Sequence, residues 1–564
     1  MTSSNERRLA AYVAEQLDAF GITHLFMVPA VLRRTLAEIE RTTSITAVHT
    51  HGEKSAAYMA DGFARVSGTP AVCMAQQVGA LNLAAGLRDA ALASSPVVAF
   101  TGGTPPLGDR EGLYQAVDDL PAFTNYTKFN RAAVDPAAVP ELLHGAFRIA
   151  ASGNPGPVHL QFEGQEGELD RLVAALPPVA PLSIDAPPEL EPEVLDAILD
   201  RLRDAERPLI LAGGGVIKAG ATAGLRRLST EAGIPVATSL SGRGAIAETD
   251  PLSVGVIGTY SRPSANQIAH EADVVLVIGS SLGSMVTNFW RMPTPTTEVL
   301  RLDIDPAALD RNAVPSLSTA GDLRVALATM VGGARSAYRE RPTWIGRIAT
   351  AASDWASERS CSTGSTEIPI HPARLCAELT EALPDNGVIA VDTGHAGMWM
   401  ASMFEISSPG QTFIRSSGHL GWAFSAALGA KCALPDRPVI AFTGDLGFWY
   451  HIAEIETAVR HGINTVTVVN NNHSGNQSRR GFMLAYDGEE TEASRRLWVH
   501  REVDFAAIAT GIGAVGMRVE DPAELAAALR DAVAADAPVV VDVVTDIDAA
   551  APTAWDPTGW VQSY

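Results

Sequence analysis

A chain of 564 residues is too long for one hydrophobic core and is expected to form three or four domains. Its 42 basic and 64 acidic residues give a net charge of −22, which argues against a nucleic-acid or anionic-membrane surface, because both need a concentrated positive patch. The four cysteines show no metal-ligand spacing, the N-terminal stretch is too charged for a signal peptide, and no apolar run is long enough to span a bilayer. We therefore expect a cytoplasmic protein without a nucleic-acid or membrane partner.

Short apolar strands alternate with alanine-rich helical stretches along the whole chain. In chain order, the predicted strands are Leu25–Val28, Ala71–Met74, Val97–Thr101, Val158–Phe162, Leu209–Ala212, Val274–Ile278, Val299–Ile304, Val388–Val391, Val439–Thr443, Val466–Val469 and Val539–Val544. Most of them are bounded by Gly, Pro or Asp, which favour turns. The pattern predicts an α/β fold with doubly wound, mostly parallel sheets.

Two stretches have the composition of linkers. Leu176–Pro192 is dense in proline and cannot sustain a helix or an inner strand, and Glu358–Pro372 is rich in Ser, Thr and Gly. They divide the chain into thirds of ordinary domain size. The expected domains are residues 1–180, 190–355 and 368–564.

The segment that follows the strand Val439–Thr443 combines features of a phosphate site and a metal site. Gly444–Gly447 reads Gly-Asp-Leu-Gly and precedes a helix, so that backbone N–H groups and the helix N-terminus could meet a phosphate. The next strand, Val466–Val469, ends in three asparagines. Because adjacent parallel strands end side by side, Asp445 and Asn472 could share one Mg²⁺, which prefers oxygen ligands. Taken alone, such a segment is more often an ordinary strand–turn–helix unit.

The whole segment resembles the thiamine-diphosphate-dependent enzymes. In that family Gly-Asp-Gly is followed, about 27 positions after the Asp, by the second Asn of an Asn-Asn pair, and here the separation is 27 (472 − 445). The resemblance implies that Asp445, Asn472 and the main-chain carbonyl of Ser474 bind Mg²⁺, and that Leu446 and Gly447 bind the cofactor. Leu446 replaces the family's second glycine, and a backbone contact there requires a negative φ.

A second match lies 392 residues upstream (445 − 53). Glu53 opens a segment that resembles the family's Glu-x₆-Ala-Asp-Gly-x-Ala-Arg pattern, with matches at Ala60, Asp61, Gly62, Ala64 and Arg65. The resemblance implies that Glu53 hydrogen-bonds the aminopyrimidine ring of thiamine diphosphate and activates the cofactor. A glutamate at a helix start is by itself more often explained by the helix dipole. Its combination with the distant magnesium segment favours the catalytic role.

Two further turns resemble parts of the family's cofactor cleft. Gly394, His395 and Ala396 match the turn that binds the diphosphate. Gly418 and Leu420 match the turn beside the aminopyrimidine, where a bulky apolar side chain separates the two cofactor rings. A core leucine is the alternative for Leu420.

The resemblance covers almost the full chain and is closest to the acetolactate-synthase-like branch. It implies a homodimer or homotetramer in which two subunits form each active site. Gln115 resembles a catalytic residue that lines the acetolactate synthase substrate cleft. Gln77 and His51 could face the reacting centre as well, but hydrogen bonding within loops explains all three equally. Ser281–Met285 replaces an arginine-containing FAD segment, so FAD is not expected.

The expected function is carbon–carbon bond lysis or carboligation next to a carbonyl, with a 2-oxo acid as a small-molecule substrate. The alternative is a 2-hydroxyacyl-CoA lyase or an oxalyl-CoA-decarboxylase-like enzyme, which would bind a CoA thioester. A non-catalytic nucleotide-binding relative is less favoured, because Glu53, Asp445 and Asn472 are retained together. Arg479–His500 occupies the position of the family's mobile active-site loop, although a solvated helix is favoured for any one of its charged residues. The aromatic-rich segment Asp546–Tyr564 either folds over another part, such as the active site, or packs on the surface.

Overall fold

The computed structural model describes residues 6–104 and 112–560. It contains three parallel six-stranded sheets, each built from one consecutive stretch of chain and flanked by helices, which confirms the predicted fold class. All eleven predicted strands are present, with ends that differ by at most two residues. Within the described ranges, no helix is long and apolar enough to cross a membrane.

The first sheet has the strand order β3-β2-β4-β5-β7-β6. A short antiparallel ribbon of β1 and β8 joins the start of this domain to its end. The elements are β1 (Glu6–Arg8), α1 (Leu9–Ala19), β2 (His24–Met27), α2 (Arg33–Thr42), β3 (Thr46–His49), α3 (Glu53–Ser67), β4 (Ala71–Ala75), α4 (Ala80–Leu92), β5 (Val97–Gly103), β6 (Phe129–Ala133), α5 (Val139–Ala151), β7 (Val158–Glu163) and β8 (Leu172–Ala174).

The second sheet has the order β11-β10-β9-β12-β13-β14, as in doubly wound domains with a crevice at the carboxyl ends of the strands. The elements are α6 (Pro192–Asp204), β9 (Pro208–Ala212), α7 (Gly214–Lys218), α8 (Thr222–Ala232), β10 (Val236–Thr238), β11 (Ser253–Val256), α9 (Pro263–Glu271), β12 (Val274–Ile278), β13 (Glu298–Asp303), β14 (Leu317–Ala320), α10 (Leu323–Gly333) and α11 (Pro342–Thr363).

The third sheet has the order β16-β15-β17-β18-β20-β19. The elements are α12 (Pro372–Ala382), β15 (Val388–Val391), α13 (Gly394–Met403), β16 (Thr412–Arg415), α14 (Trp422–Ala433), β17 (Val439–Gly444), α15 (Asp445–Trp449), α16 (Glu454–His461), β18 (Val466–Asn471), α17 (Gln477–Ala485), α18 (Glu492–Arg495), α19 (Phe505–Ile512), β19 (Val515–Val519), α20 (Pro522–Ala534) and β20 (Val539–Val544).

The linker predicted at Glu358–Pro372 is wrong in its first part, because α11 continues to Thr363. Four apolar residues at helical spacing bury one face of this helix, namely Trp344, Ile348, Ala351 and Trp355. Packing on that face outweighs the weak helix propensity of the exposed Ser and Thr residues. The other predicted linker, before α6, contains neither helix nor strand from residue 175 to 191.

The first and third domains meet where α3 packs against α14. A Cβ atom on Gly62 would lie 2.0 Å from the carbonyl oxygen of Ala426, and one on Gly429 would lie 1.8 Å from that of Met59. Both glycines are therefore required for the close approach of the two helices. At the same contact, the indole N–H of Trp422 donates to Asp61 over 2.8 Å.

Candidate active site

The predicted metal ligands lie together at the carboxyl ends of β17 and β18. The backbone N–H of Ser474 donates to Asp445 Oδ2 over 2.8 Å, and its hydroxyl donates to Asn472 Oδ1 over 2.8 Å. All three residues are buried. The cluster brings together carboxylate, amide and hydroxyl oxygens, and hard oxygen ligands are what Mg²⁺ prefers together with phosphate and water.

Burial raises the pKa of Asp445 to about 7, against the opposing effect of backbone N–H donors from Leu446 and Ser474. A bound divalent cation would reverse this effect and hold the carboxylate in its ionised form. The donor set and the electrostatics of this cluster thus fit a magnesium ion. Leu446, which replaces the family's second glycine, lies in the first turn of α15, where a negative φ is the normal backbone conformation. The backbone N–H of Leu446 donates to Asp445 Oδ1 over 2.7 Å.

A buried carboxylate that sequence reasoning missed, Asp392, joins three turns of this site. It accepts hydrogen bonds from the backbone N–H groups of Thr393 (2.9 Å) and Gly421 (2.7 Å) and from the hydroxyl of Thr443 (2.8 Å). A Cβ atom on Gly447 would lie 2.4 Å from Asp392 Oδ2, so only glycine fits there. The only sequence signal was an acid at the end of a predicted strand, before Thr-Gly.

The turn predicted to bind the diphosphate forms the first turn of α13. Gly394 has a φ of +72°, which favours glycine, and Ala396 follows in the same turn. The Nε2 atom of His395 accepts a hydrogen bond from the backbone N–H of Ala551 over 3.0 Å, and burial lowers the pKa of this histidine to about 4. A neutral ring that accepts at Nε2 carries its proton on Nδ1, which is buried and has no partner among the described residues. The free N–H and the helix N-terminus both fit a phosphate.

Leu420 lies between this turn and the glycine turn before α14. It is partly buried, and its Cδ2 atom is 3.8 Å from the position that a Cβ on Gly394 would take. The turn that contains Gly418 is held by Asp89 of the first domain, which accepts from the backbone N–H of Ser417 over 2.9 Å. Leu420 is therefore not fully enclosed in the core, and its role as a wedge between the cofactor rings stays a prediction.

Glu53 begins α3, where its carboxylate is partly buried. It accepts a hydrogen bond from the side chain of Asn82 over 3.2 Å. A Cβ atom on Gly79 would lie 2.3 Å from Glu53 Oε1, so the carboxylate occupies space that only glycine leaves free. Among the described residues, Glu53 has no hydrogen bond to the third domain.

The two neighbouring polar candidates, His51 and Gln77, both make side-chain contacts within the chain. His51 Nε2 lies 2.7 Å from Glu456 Oε2 of the third domain. Gln77 is buried, and its Nε2 donates to the carbonyl of Val117 over 2.7 Å. The contact of Gln77 matches the alternative of loop hydrogen bonding, whereas His51 pairs with a helix of another domain. Gln115 is partly buried in a turn with a φ of +63°, just after the segment 105–111, which lies outside the described residues.

The charged residues of the predicted mobile loop pair mostly with one another. Arg479 binds Glu490 (2.8 Å) and Asp548 (2.7 Å), and Arg495 also binds Glu490. This network ties α17 and α18 to the start of the C-terminal segment, which indicates a structural role for these ion pairs.

The C-terminal segment, residues 546–560, folds back over the active-site turns. Asn476 donates to the carbonyl of Ile547 over 2.8 Å, and the contact of Ala551 with His395 follows. Further on, Asp556 pairs with Arg291 of the second domain, over which Trp560 also stacks at 4.8 Å. The sequence left open whether this segment folds over another part of the protein or packs on the surface. In the structure, it folds over other elements.

A cavity of about 730 Å³ lies at the carboxyl ends of the strands of the second domain, where residues of the other two domains also line it. Gly214, Lys218 and Arg311 contribute to its wall, and burial lowers the pKa of Lys218 to about 8. Ser281 and Met285, from the stretch that replaces the family's arginines, line the same cavity. Its volume is that of an ordinary small-molecule site.

Comparisons with known proteins agree with this geometry. Three family models match in succession: the thiamine pyrophosphate enzyme N-terminal TPP binding domain at residues 7–122, the central domain at 195–330 and the C-terminal TPP binding domain at 392–543. The chain is 31% identical to the probable acetolactate synthase large subunit of Methanocaldococcus jannaschii, over 95% of this chain and 92% of that protein. It is 27% identical to acetolactate synthase isozyme 1 large subunit of Escherichia coli, over 97% and 96% of the two chains. With all three domains matched, and with Glu53, Asp445 and Asn472 set in them, the chain belongs to the thiamine pyrophosphate enzyme family.

Proposed function

We propose that this protein is a thiamine-diphosphate- and Mg²⁺-dependent carboligase that acts on 2-oxo acids. The observation that carries the proposal is the buried cluster of Asp445, Asn472 and Ser474, which offers three kinds of oxygen donor at a helix N-terminus. The acetolactate synthase names of the relatives support 2-oxo acids over CoA thioesters.

The residues have distinct roles in this proposal. Asp445, Asn472 and the carbonyl of Ser474 hold Mg²⁺, while the first turn of α13 and the backbone at Gly447 receive the diphosphate. Glu53 holds and returns a proton at its carboxyl oxygen, beside the pyrimidine ring. Bound thiamine diphosphate supplies a nucleophilic carbon and an electron sink.

The proposed reaction joins two 2-oxo acids with the loss of one CO₂. The bond between the carbonyl carbon and the carboxylate of the donor breaks. A new bond forms between that carbonyl carbon and the carbonyl carbon of the acceptor, whose oxygen takes up one proton. The product is a 2-hydroxy-3-oxo acid that retains the carboxylate of the acceptor. Gln115 is a candidate for contacting the substrate.

We also propose a homodimer, or a tetramer of two such dimers. Four large apolar residues close in sequence to the site are exposed in the single chain: Val78 (59%), Leu81 (55%), Trp449 (41%) and Tyr450 (53%). Val78 adjoins Gly79, which contacts Glu53, and Trp449 and Tyr450 follow the diphosphate loop. Exposed apolar patches of this kind are typical of subunit interfaces.

We further propose that the protein is cytoplasmic, that it binds no FAD, and that its three domains span residues 1–180, 190–355 and 368–564. The pairing of β1 with β8 supports the first bound. Helix α11 crosses the second bound, since Trp344 packs in the second domain and Trp355 in the third.

The experiment is a comparison of substrates with added thiamine diphosphate and Mg²⁺. Pyruvate and a short 2-hydroxyacyl-CoA are supplied separately, and products are identified by mass spectrometry. Release of CO₂ from pyruvate with formation of a 2-hydroxy-3-oxo acid is the expected result. Carbon–carbon cleavage of the 2-hydroxyacyl-CoA to a carbonyl compound and formyl-CoA, without turnover of pyruvate, would replace this proposal by the lyase alternative.

A further inference from the structure

The segment that leads into Glu53 is held by helix α16 of the third domain. The carboxylate of Glu454 accepts a hydrogen bond from the backbone N–H of His51 over 3.1 Å. One helical turn further along α16, Arg460 donates to the backbone carbonyl of His49 over 2.9 Å. Because both contacts are made to backbone atoms, they fix the course of the chain just before α3.

Glu454 is itself firmly placed. It is only 1% exposed, and its second carboxylate oxygen accepts the hydroxyl of Thr457 over 2.6 Å. A buried polar atom that loses its partner destabilises the protein, so both oxygens hold their donors in place. Glu456 also contacts His51, through the imidazole ring, but this pair lies at the surface, where ion pairs contribute little. The buried contact of Glu454 is therefore the one that fixes the segment.

A second contact holds the chain just after Glu53. The hydroxyl of Ser55 lies 2.7 Å from Nδ1 of His451, and both residues are buried. The carbonyl of His451 in turn accepts the backbone N–H of Glu454 over 2.9 Å, so both holding groups belong to one turn of the third domain. The chain is thus bound two residues before and two residues after Glu53, although the Glu53 carboxylate itself has no hydrogen bond to that domain among the described residues.

The first domain limits the remaining freedom of Glu53. Its Oε1 atom lies in the space that Gly79 leaves free, and its Oε2 atom accepts from Asn82 over 3.2 Å. A group that exchanges a proton must come within about 2.6–3.2 Å of its partner atom. A misplacement of about 1 Å can lower the rate roughly a hundredfold. The contacts that fix the backbone around Glu53 consequently bear on its chemistry.

We propose that Glu454 is a positioning residue for Glu53: by binding the backbone N–H of His51, it sets the direction in which α3 presents the catalytic carboxylate. The inference rests on the proposed function and adds a residue of the third domain to the acid–base machinery of the first. Glu454 follows Gly447 of the diphosphate loop by only seven positions (454 − 447). One short stretch of the third domain therefore forms the diphosphate loop and also aligns Glu53.

The first experiment is made on the cofactor-free protein. Glu454→Ala removes the acceptor of the His51 N–H, and amide hydrogen exchange is followed by mass spectrometry. Exchange in the peptide of residues 49–56 is expected to be at least about tenfold faster, while peptides from β17 and α20 exchange as in the wild type. Glu456→Ala, which removes only an exposed contact on the same helix, is the matched control and should change the exchange by less than about twofold.

The second experiment measures CO₂ release from pyruvate at saturating thiamine diphosphate and Mg²⁺. Glu454→Ala is expected to lower kcat about 10- to 100-fold, because Glu53 is displaced but still present. The cofactor concentration for half-maximal activity should change by less than about threefold, since the diphosphate loop is intact. Glu454→Gln keeps an oxygen acceptor for the His51 N–H and should retain kcat within about threefold of the wild type.

A double-mutant cycle separates positioning from a general structural role. Glu53→Gln removes the proton exchange, so nothing is left for Glu454 to position. The double variant Glu53→Gln/Glu454→Ala should then have the kcat of Glu53→Gln within about twofold. A structural effect that is independent of Glu53 would instead multiply with the loss caused by Glu53→Gln, because the free energies of independent sites add. If Glu454→Ala does not fold, Glu454→Asp, whose shorter side chain withdraws the carboxylate from His51, replaces it in all measurements.

The outcomes separate the two proposals. Multiplied losses in the double variant, unchanged exchange of the peptide 49–56, or a loss of kcat in Glu454→Gln as large as in Glu454→Ala would each overturn the inference and leave the proposed function standing. If the wild-type protein neither releases CO₂ from pyruvate nor joins 2-oxo acids, the proposed function is wrong and the inference falls with it.

Discussion

The two halves of the cofactor site differ in how completely one chain builds them. On the diphosphate side, Asp445, Asn472 and Asp392 are buried and hydrogen-bonded within their own domain. On the glutamate side, Glu53 is only partly buried, and Leu81 on the adjoining helix α4 is 55% exposed. The contrast supports our proposal that a preformed anion and metal site faces a catalytic edge covered by a second subunit.

The largest expected effect is on the glutamate side. Glu53→Gln keeps the shape of the side chain but removes its ability to exchange a proton, so kcat should fall about 10²- to 10⁴-fold. The measurement is CO₂ release from pyruvate at saturating cofactor. Glu40→Gln, at an exposed position of α2, is the control. Unchanged turnover in Glu53→Gln would remove this residue from the mechanism.

On the diphosphate side, the corresponding substitution is Asp445→Asn, which is expected to weaken the binding of Mg²⁺. Asp445→Asn removes the carboxylate of the proposed magnesium cluster, so the Mg²⁺ concentration for half-maximal activity should rise about a hundredfold. It is measured by titrating Mg²⁺ into protein freed of metal. Asp487→Asn, at an exposed position with a φ of +54° that asparagine tolerates, should behave as wild type. A normal Mg²⁺ requirement in Asp445→Asn would place the metal elsewhere.

Leu81→Asp tests whether the exposed face of α4 near Glu53 is a subunit interface. The substitution leaves the single chain nearly unaffected but introduces a charge into the proposed interface, so the dissociation constant of the dimer should rise at least about tenfold. Light scattering over a dilution series measures it. Val325→Asp, on α10 of the second domain and similarly exposed (53%), is the comparison. Identical association in both variants would argue against an interface at α4.

The last effect is on folding stability rather than on activity and concerns Asp392, whose pKa burial raises to about 7 from 3.8. Because the folded-state pKa lies above the unfolded one, the unfolded chain loses its proton first as the pH rises. This group therefore lowers the free energy of unfolding between about pH 4 and pH 7, by up to about 1.4 kcal/mol per pH unit, and has no further effect above that window. In Asp392→Asn the decline should be shallower, as measured by denaturant unfolding of the cofactor-free protein. Equal slopes would show that Asp392 ionises normally.

The sequence predicted the inner strands much better than the edge strands. β4 and β12 are buried along their length and read as continuous apolar runs. Strands at sheet edges, such as β6 and β19, carry polar and exposed residues, so the same search for apolar runs missed them. An edge strand is defined by the neighbour with which it pairs, and that neighbour is distant in sequence.

The candidate site shows the same division. Asp445, Asn472 and Glu53 were found because the family's spacing marks them. Asp392 and Asp89 were missed, since each acts by accepting hydrogen bonds from residues 29 and 328 positions away and has no motif of its own. Such contacts follow from the packing of the turns and helices, which a single sequence does not specify.

Mixing two inactive variants tests most directly whether the two halves come from different chains. Glu53→Gln and Asp445→Asn are dissociated, combined in equal amounts and allowed to reassociate with thiamine diphosphate and with Mg²⁺ at a concentration that saturates the wild type but does not activate Asp445→Asn. If each site takes Glu53 from one chain and Asp445 from the other, half of the dimers are mixed and one of their two sites is intact. Activity should then return to about a quarter of the wild-type value. No recovery, in samples where mass spectrometry confirms mixed dimers, would contradict a site shared between subunits.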